Sequence, residues 1–170
     1  MPELRRLRAD HAPAVLAFEL ANRAWFAASI TDRGDAYFAE FPARHAELLA
    51  EQEAGTCAFH VLVAEDGSVL GRFNLVDIAD GTAVLGYRMA EAATGRGLAT
   101  RTVHTLCHLA ATRYALHTLH AATSHTNTAS QRVLAHTHFV PNGPADPSAL
   151  GGKAGVSYVR HLRPARAPGR

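Results

Sequence analysis

The sequence predicts a mixed α/β (α+β) fold, a mostly antiparallel sheet flanked by helices. Three features predict it. Apolar residues alternate with their neighbours from Cys57 onward, as a half-buried strand requires. Two Asp-Gly pairs, Asp66-Gly67 and Asp80-Gly81, punctuate that region as hairpin turns do. A glycine-rich turn, Gly95-Arg96-Gly97, then opens a long helical pattern.

The elements follow in order. Glu3 to Arg8 reads as a first strand whose arginines, Arg5, Arg6 and Arg8, form the solvated side of an edge. Asp10 is expected to cap a helix, with Pro13 in its first turn and an end near Asn22. Trp25 and Phe26 extend its apolar surface. Thr31 to Asp35 reads as a loop. Asp35 caps a second helical stretch that is interrupted near Pro42 and stopped by Gly55. Phe59, Val61 and Val63 mark the next strand, Val69 to Ile78 another, and Thr82 to Met89 a third, together an antiparallel meander. Leu98 to Arg113 is a helix, Leu116 to Thr123 a strand, and Asn127 to His136 a short helix. Phe139-Val140 and Val156 to Leu162 are the last strands, with a long loop from Pro141 to Gly152.

Composition bounds the class. A chain of 170 residues, 48% hydrophobic and 19% charged, suits one domain with one core, here residues 1–162. The tail, 163–170, offers nothing to bury and is expected to be disordered. A formal net charge of +2 is too small to argue for nucleic acid. Two cysteines, Cys57 and Cys107, make no disulfide framework. No apolar run is long enough for a bilayer, and the basic start has no apolar signal core. A cytoplasmic protein with no membrane partner is expected.

The glycine turn is the most informative segment. The first N–H groups of a helix have no partners within it, and the helix dipole makes them an anion site. Gly95 and Gly97 let a phosphate approach the backbone, and Arg96 and Arg101 add charge. A pyrophosphate suits this. A nucleoside-triphosphate loop would need Gly-Lys-Ser/Thr, which is absent. A dinucleotide fold would need the turn after the first strand of a parallel sheet and an acid about twenty residues on. Here three antiparallel strands precede the turn, and no acid lies between Glu91 and Asp146.

These residues resemble the GNAT superfamily of acetyltransferases. The run Thr94-Gly95-Arg96-Gly97-Leu98-Ala99 matches both small positions of its Gln/Arg-x-x-Gly-x-Gly/Ala motif, with Thr94 in place of the first Gln or Arg. Gly86-Tyr87-Arg88-Met89, Asn127-Thr128-Ala129-Ser130 and the following Arg132-Val133-Leu134 are similar to the ribosomal-protein N-terminal acetyltransferase branch. The resemblance implies a GNAT-like sheet with splayed central strands and acetyl-CoA as co-substrate, with no metal. Tyr87, Arg88 and Met89 would meet the pantetheine arm, with Asn127 on its other side. Gly95, Arg96, Gly97, Leu98, Ala99, Thr100 and Arg101 would hold the pyrophosphate. The first helices would line the acceptor site, with Asn22 and Phe26 as substrate contacts. Ser130 would be the general acid toward the departing thiolate.

Two features depart from the family. The strand Thr82 to Met89 has no glutamate to act as base, and the helix Asn127 to His136 has no tyrosine to act as acid. The implied activity is an N-acetyltransferase moving acetyl to an amine, a protein N-terminus or a small molecule, by direct attack in a ternary complex. The enzyme would be a monomer or homodimer. The alternative is a non-catalytic acyl-CoA-binding module.

Other groups read more plainly. His104, Cys107 and His108 share a helix face with no acid to orient them, so they are read as packing, not as metal ligands. His125 could take a proton from an amine but reads as a loop histidine. Glu19 reads as part of a solvated face beside a core Phe.

Overall fold

The computed structural model describes residues 1–164. The expectation of disorder for residues 163–170 falls mainly outside the described residues. Seven strands form one sheet in the order β1-β2-β3-β4-β5-β7-β6. They are β1 Glu3–Arg6, β2 Ala58–Val63, β3 Val69–Ala79, β4 Thr82–Met89, β5 Thr118–Ser124, β6 Val140–Pro144 and β7 Gly155–His161. The helices are α1 Ala12–Ala21, α2 Arg23–Ala27, α3 Asp35–Ala39, α4 Phe41–Glu53, α5 Leu98–Thr112 and α6 Thr128–His136. The β4–β5 pair is parallel, and the pairs β1–β2, β2–β3, β5–β7 and β6–β7 are antiparallel. The chain forms two compact units: Met1–Val76 with Gly86–Leu98, and Asp77–Leu85 with the residues from Ala99 onward.

In the first unit, β1 pairs along β2, which pairs along β3. All six residues of β2 are buried; its Phe59 and Val61 share a sheet face with Asn74 and Arg72 of β3, while Phe73 and Leu75 are buried on the opposite face, beside Ala58 and His60. The buried Gln52 fastens α4 to the backbone: its Nε2 donates to the Leu7 carbonyl and its Oε1 accepts from the Phe59 N–H, both at 2.9 Å. That satisfies two backbone groups the sheet edge would leave unpaired.

The start of α1 differs from expectation. A 3-10 turn, Ala9–His11, precedes it, and His11 occupies the N-cap position. The Arg8 N–H donates to His11 Nδ1 at 3.0 Å, while the Asp10 carboxylate pairs with the Arg8 guanidinium and caps nothing. Asp35 is likewise inside α3, with Gly34 at the cap at φ +85°, and its carboxylate goes to Arg23. The break near Pro42 falls at Glu40, and Pro42 sits in the first turn of α4, where a missing N–H costs nothing.

In the second unit, the β3–β4 hairpin turns at Asp80 and Gly81, with φ of +51° and +75°. Both positive values fit the primed turn that matches strand twist. A side chain at Gly81 would also strike the His117 ring. Pairing of β4 with β5 runs from Thr82 against Thr118 to Val84 against His120, while β5 stays paired with β7 as far as Ser124. Val103 and Leu106 of α5 pack in a core with Leu119, Leu134 and Phe139.

Strand boundaries shift for local reasons. Leu116 lies outside β5 because its N–H closes α5 onto the Ala110 carbonyl at 2.8 Å. Phe139 belongs to the end of α6: His138 takes φ +66° and the Phe139 N–H returns to the Leu134 carbonyl, a Schellman closure. Val140, expected in a strand, opens β6, which continues through residues 141–144, expected in a loop. The strand's two prolines are tolerated because β6 is an edge strand with a register shift between Pro141 and Pro144.

Candidate active site

The turn after β4 is built by backbone conformation. A 3-10 turn, Glu91–Ala93, leads to Gly95 at φ +76° and Gly97 at φ +71°, then into α5. A Cβ on Gly95 would meet nothing within 4 Å, so the left-handed backbone, not crowding, demands glycine there. Thr94 Oγ1 donates to the Glu91 carbonyl at 2.7 Å, so its hydroxyl proton braces the turn. One guanidinium nitrogen of Arg96 donates to the Ala92 carbonyl at 3.2 Å. Gly95, Arg96, Gly97 and Arg101 are exposed, and Leu98, Ala99 and Thr100 are half-buried. The first-turn N–H groups, Leu98 to Arg101, are therefore positioned at an open surface.

The end of β4 is pinned from one side. The Ala90 N–H donates to the Leu70 carbonyl at 2.8 Å. In extended backbone successive N–H groups point to opposite sides, so the Met89 N–H points away from β3. Met89 is buried, and the Tyr87 ring stacks on Phe73 at 5.5 Å between centroids. Arg88 sends its side chain elsewhere: one nitrogen donates to Glu19 at 3.2 Å and the guanidinium lies 4.6 Å over the Phe26 ring.

Glu19 is the largest departure from the sequence reading. It is 1% exposed, not on a solvated face. Its Oε1 accepts from Arg72 at 2.7 Å and Arg33 at 3.2 Å, and its Oε2 accepts from Arg33 and Arg88 at 3.2 Å each. Burial pushes its carboxyl up, but the charges of Arg33, Arg88 and Arg72, with the Arg72 hydrogen bond, outweigh that and hold it below its ordinary value. Burial, with the charge of Arg33, pushes Arg88 down to about 10 against the pull of Glu19. Tyr37 supports the cluster through its hydroxyl at 3.3 Å from Arg72 and its ring 4.6 Å from the Arg33 guanidinium.

Sequence reasoning missed Arg33, Arg72 and Tyr37. The signal was one acid in the otherwise apolar run of α1 and one arginine between Gly71 and Phe73 in a buried strand. A lone charge on a buried face needs a partner. Asn22 has structural work: its Nδ2 donates to the Phe18 carbonyl at 2.9 Å and its Oδ1 accepts from the Glu91 N–H at 3.0 Å. Phe26 is buried and lines a small pocket with Glu19, Arg33, Phe38 and Arg88.

In the second unit, Asn127 is the N-cap of α6, its Oδ1 accepting from the Ser130 N–H at 3.2 Å. Three residues apart, the two side chains fall on one side of the helix start. Gln131 Nε2 donates to the Ser124 and His125 carbonyls at 3.1 and 3.0 Å, fixing the loop before the cap. His125 is exposed in that loop, its N–H bonded to the Ala154 carbonyl. Cys107 is buried beside Arg160, and burial pushes its thiol up against the opposing charge of Arg160. His104 and His108 are exposed, the former 5.8 Å from the His138 ring.

A family model of the acetyltransferase (GNAT) domain matches residues 3–140. The chain belongs to the GNAT acetyltransferase family. As a GNAT protein it is an N-acetyltransferase, and the alternative of a non-catalytic acyl-CoA-binding module is set aside. Solved GNAT structures share its fold. The ribosomal-protein-S5-alanine acetyltransferase of Vibrio fischeri superposes with a TM-score of 0.87 at 20% identity, over 94% of this chain and 92% of that one. An acetyltransferase of Salmonella typhimurium that modifies the N-terminal serine of a 50S ribosomal subunit protein gives 0.82 at 21%, over 95% of each chain. RimJ of Mycobacterium smegmatis, in complex with a CoA-disulfide, gives 0.81 at 25%, over 93% of this chain and 80% of that one. No curated protein matches the sequence. Among the described residues, no helix is long and apolar enough to cross a membrane.

Proposed function

We propose that residues 1–162 form one GNAT domain that acetylates the α-amine of a protein N-terminus, with acetyl-CoA as donor. The observation that supports this most is the exposed turn with left-handed Gly95 and Gly97 leading into α5. The pyrophosphate sits on the N–H groups of Leu98, Ala99, Thr100 and Arg101, with Arg96 and Arg101 adding charge. The pantetheine arm runs along Tyr87, Arg88 and Met89 as an added strand would, and the outward Met89 N–H polarises the thioester carbonyl. Asn127 reaches the arm through Nδ2, since its Oδ1 is engaged by Ser130. The neutral amine attacks the carbonyl carbon; the C–N bond forms, the amine loses a proton to solvent, and the C–S bond breaks. Ser130 Oγ–H gives its proton to the departing thiolate and recovers one from solvent. The likeness to a CoA-bound relative and to an enzyme that modifies the N-terminal serine of a ribosomal protein supports the donor and the acceptor class.

The test is release of coenzyme A from acetyl-CoA with a panel of N-terminal peptides and small amines. Peptide-dependent release is expected. Release with small amines alone would move the acceptor to that class, and no binding of acetyl-CoA in calorimetry would remove the reading altogether.

A further inference from the structure

The pocket beside Phe26 holds a charge imbalance. Three guanidiniums, from Arg33, Arg72 and Arg88, share the single carboxylate of Glu19. A carboxylate offers about four lone-pair sites. Four N–H donations fill them, two on each oxygen. Glu19 is thus saturated and has no acceptor left for a substrate ammonium or for a proton in transit. The other acid of the pocket, Asp32, is spent on Arg23, which grips it with two nitrogens at 3.0 and 2.8 Å. Hydrogen bonding to Arg23 holds Asp32 down to about 2, against its burial.

The three arginines are not equivalent. The Arg72 side chain is 5% exposed and locked between Glu19 and Tyr37. Those of Arg88 and Arg33 are 18% and 29% exposed and line the pocket with Phe26 and Phe38. A partly desolvated cationic wall over aromatic rings attracts an anion and repels a cation.

We infer that a carboxylate docks at the mouth of this pocket, where Arg33 and Arg88 keep part of their guanidiniums exposed, so that the acceptor is an amine with an anionic group close by and not a polycation. The inference rests on the acceptor lying at α1, α2 and the end of β4, as in the proposed function. The carboxylate can come from an acidic side chain near a peptide N-terminus or from the α-carboxylate of a free amino acid.

Matched acceptors separate these sources. One set is a peptide amide beginning alanyl-glutamyl, alanyl-glutaminyl or alanyl-lysyl; the other is alanine against alaninamide. The carboxylate member of one set is expected to exceed its neutral partner in kcat/KM by about tenfold or more, and the lysyl peptide to be poorest. Arg33→Gln should shrink that ratio to within about threefold while leaving the dissociation constant for acetyl-CoA unchanged, and Arg33→Lys should restore part of it. Equal or better use of the neutral or lysyl acceptors, or an unchanged ratio in Arg33→Gln, overturns the inference. Binding of the acetylated alanyl-glutamyl and alanyl-glutaminyl amides, measured by calorimetry with coenzyme A present, reads the same preference without turnover. Failure of the proposed function would appear as loss of acetyl-CoA binding or of all acetylation. Failure of this inference would appear as turnover or product binding that ignores the carboxylate.

Discussion

The two units hold their candidate functional residues by different means. In the first, Glu19 is gripped by arginines 14, 53 and 69 residues away in sequence. In the second, Asn127, Ser130 and Gln131 are fixed by neutral hydrogen bonds that span 3 to 7 residues. The first device is long-range, charged and buried, so removing one partner leaves other charges stranded. The second is local and uncharged, and removing one partner returns a single group toward water. The first unit should therefore be the pH-sensitive and mutation-sensitive one.

The sharpest test removes Glu19. Glu19→Ala strands three guanidiniums and should cost about 3–5 kcal/mol in urea unfolding. A cost below about 1 kcal/mol would erase the contrast. Acid should separate the proteins in the same direction. Glu19 has a folded pKa below its ordinary 4.5. Its contribution is therefore complete above that value and lost as pH falls through the lowered one. Wild type should lose more stability between pH 5 and pH 2 than Glu19→Gln, a comparison that cancels the other carboxylates.

Ser130→Ala comes next. As the proton donor to the thiolate, its loss should lower kcat by roughly 10²-fold with acetyl-CoA affinity nearly unchanged. Its backbone N–H, not its hydroxyl, takes part in the Asn127 cap. Unchanged turnover would remove Ser130 from the chemistry.

The same division explains what the sequence disclosed. The Asp-Gly hairpins, the glycine turn, the helix after it and the short helix opening at Asn127 were legible because each is written within a few neighbouring residues. The limits of β4, Thr82–Met89, came directly from alternation and the turn before it. The Glu19 cluster was not legible, because propensity and periodicity say nothing about which of many arginines crosses 53 or 69 residues to a given acid. The cap of α1 failed for a related reason: Asp10 is a good capping residue in isolation, but Arg8 claims its carboxylate. Beyond Val140, the edge strand Val140–Pro144 was hidden by its prolines, which signal a loop unless the strand lies at an edge.

Gly97→Val measures the turn itself. The residue sits at φ +71°, which a β-branched side chain adopts only with strain, and its side chain would also keep a phosphate from the backbone. Acetyl-CoA binding should weaken by about tenfold or more, about 1.4 kcal/mol. Calorimetry on the folded variant checks it, and wild-type affinity would move the pyrophosphate site away from the turn.

Asn127 gives the smallest effect and the finest discrimination. Its two side-chain atoms are assigned different work: Oδ1 caps α6 and Nδ2 is proposed to meet the pantetheine arm. Asn127→Ala removes both, and should cost about 1 kcal/mol of stability and weaken acetyl-CoA binding by a few fold, under about 1 kcal/mol. Asn127→Asp keeps an oxygen at the cap, where a negative charge also suits the helix dipole, but loses the amide donor. It should match wild type in unfolding at pH 7 and still bind acetyl-CoA more weakly. If Asn127→Asp lost stability as Asn127→Ala does, the cap would not be the element holding this unit's loop. If it bound acetyl-CoA like wild type, the amide donor would have no part in cofactor binding, and Asn127 would be a structural residue only. Asn127→Ala should leave the acid sensitivity attributed to Glu19 unchanged, because it removes a neutral local cap and leaves the arginine cluster intact, whereas Asn127→Asp adds a carboxylate of its own that titrates between pH 5 and pH 2.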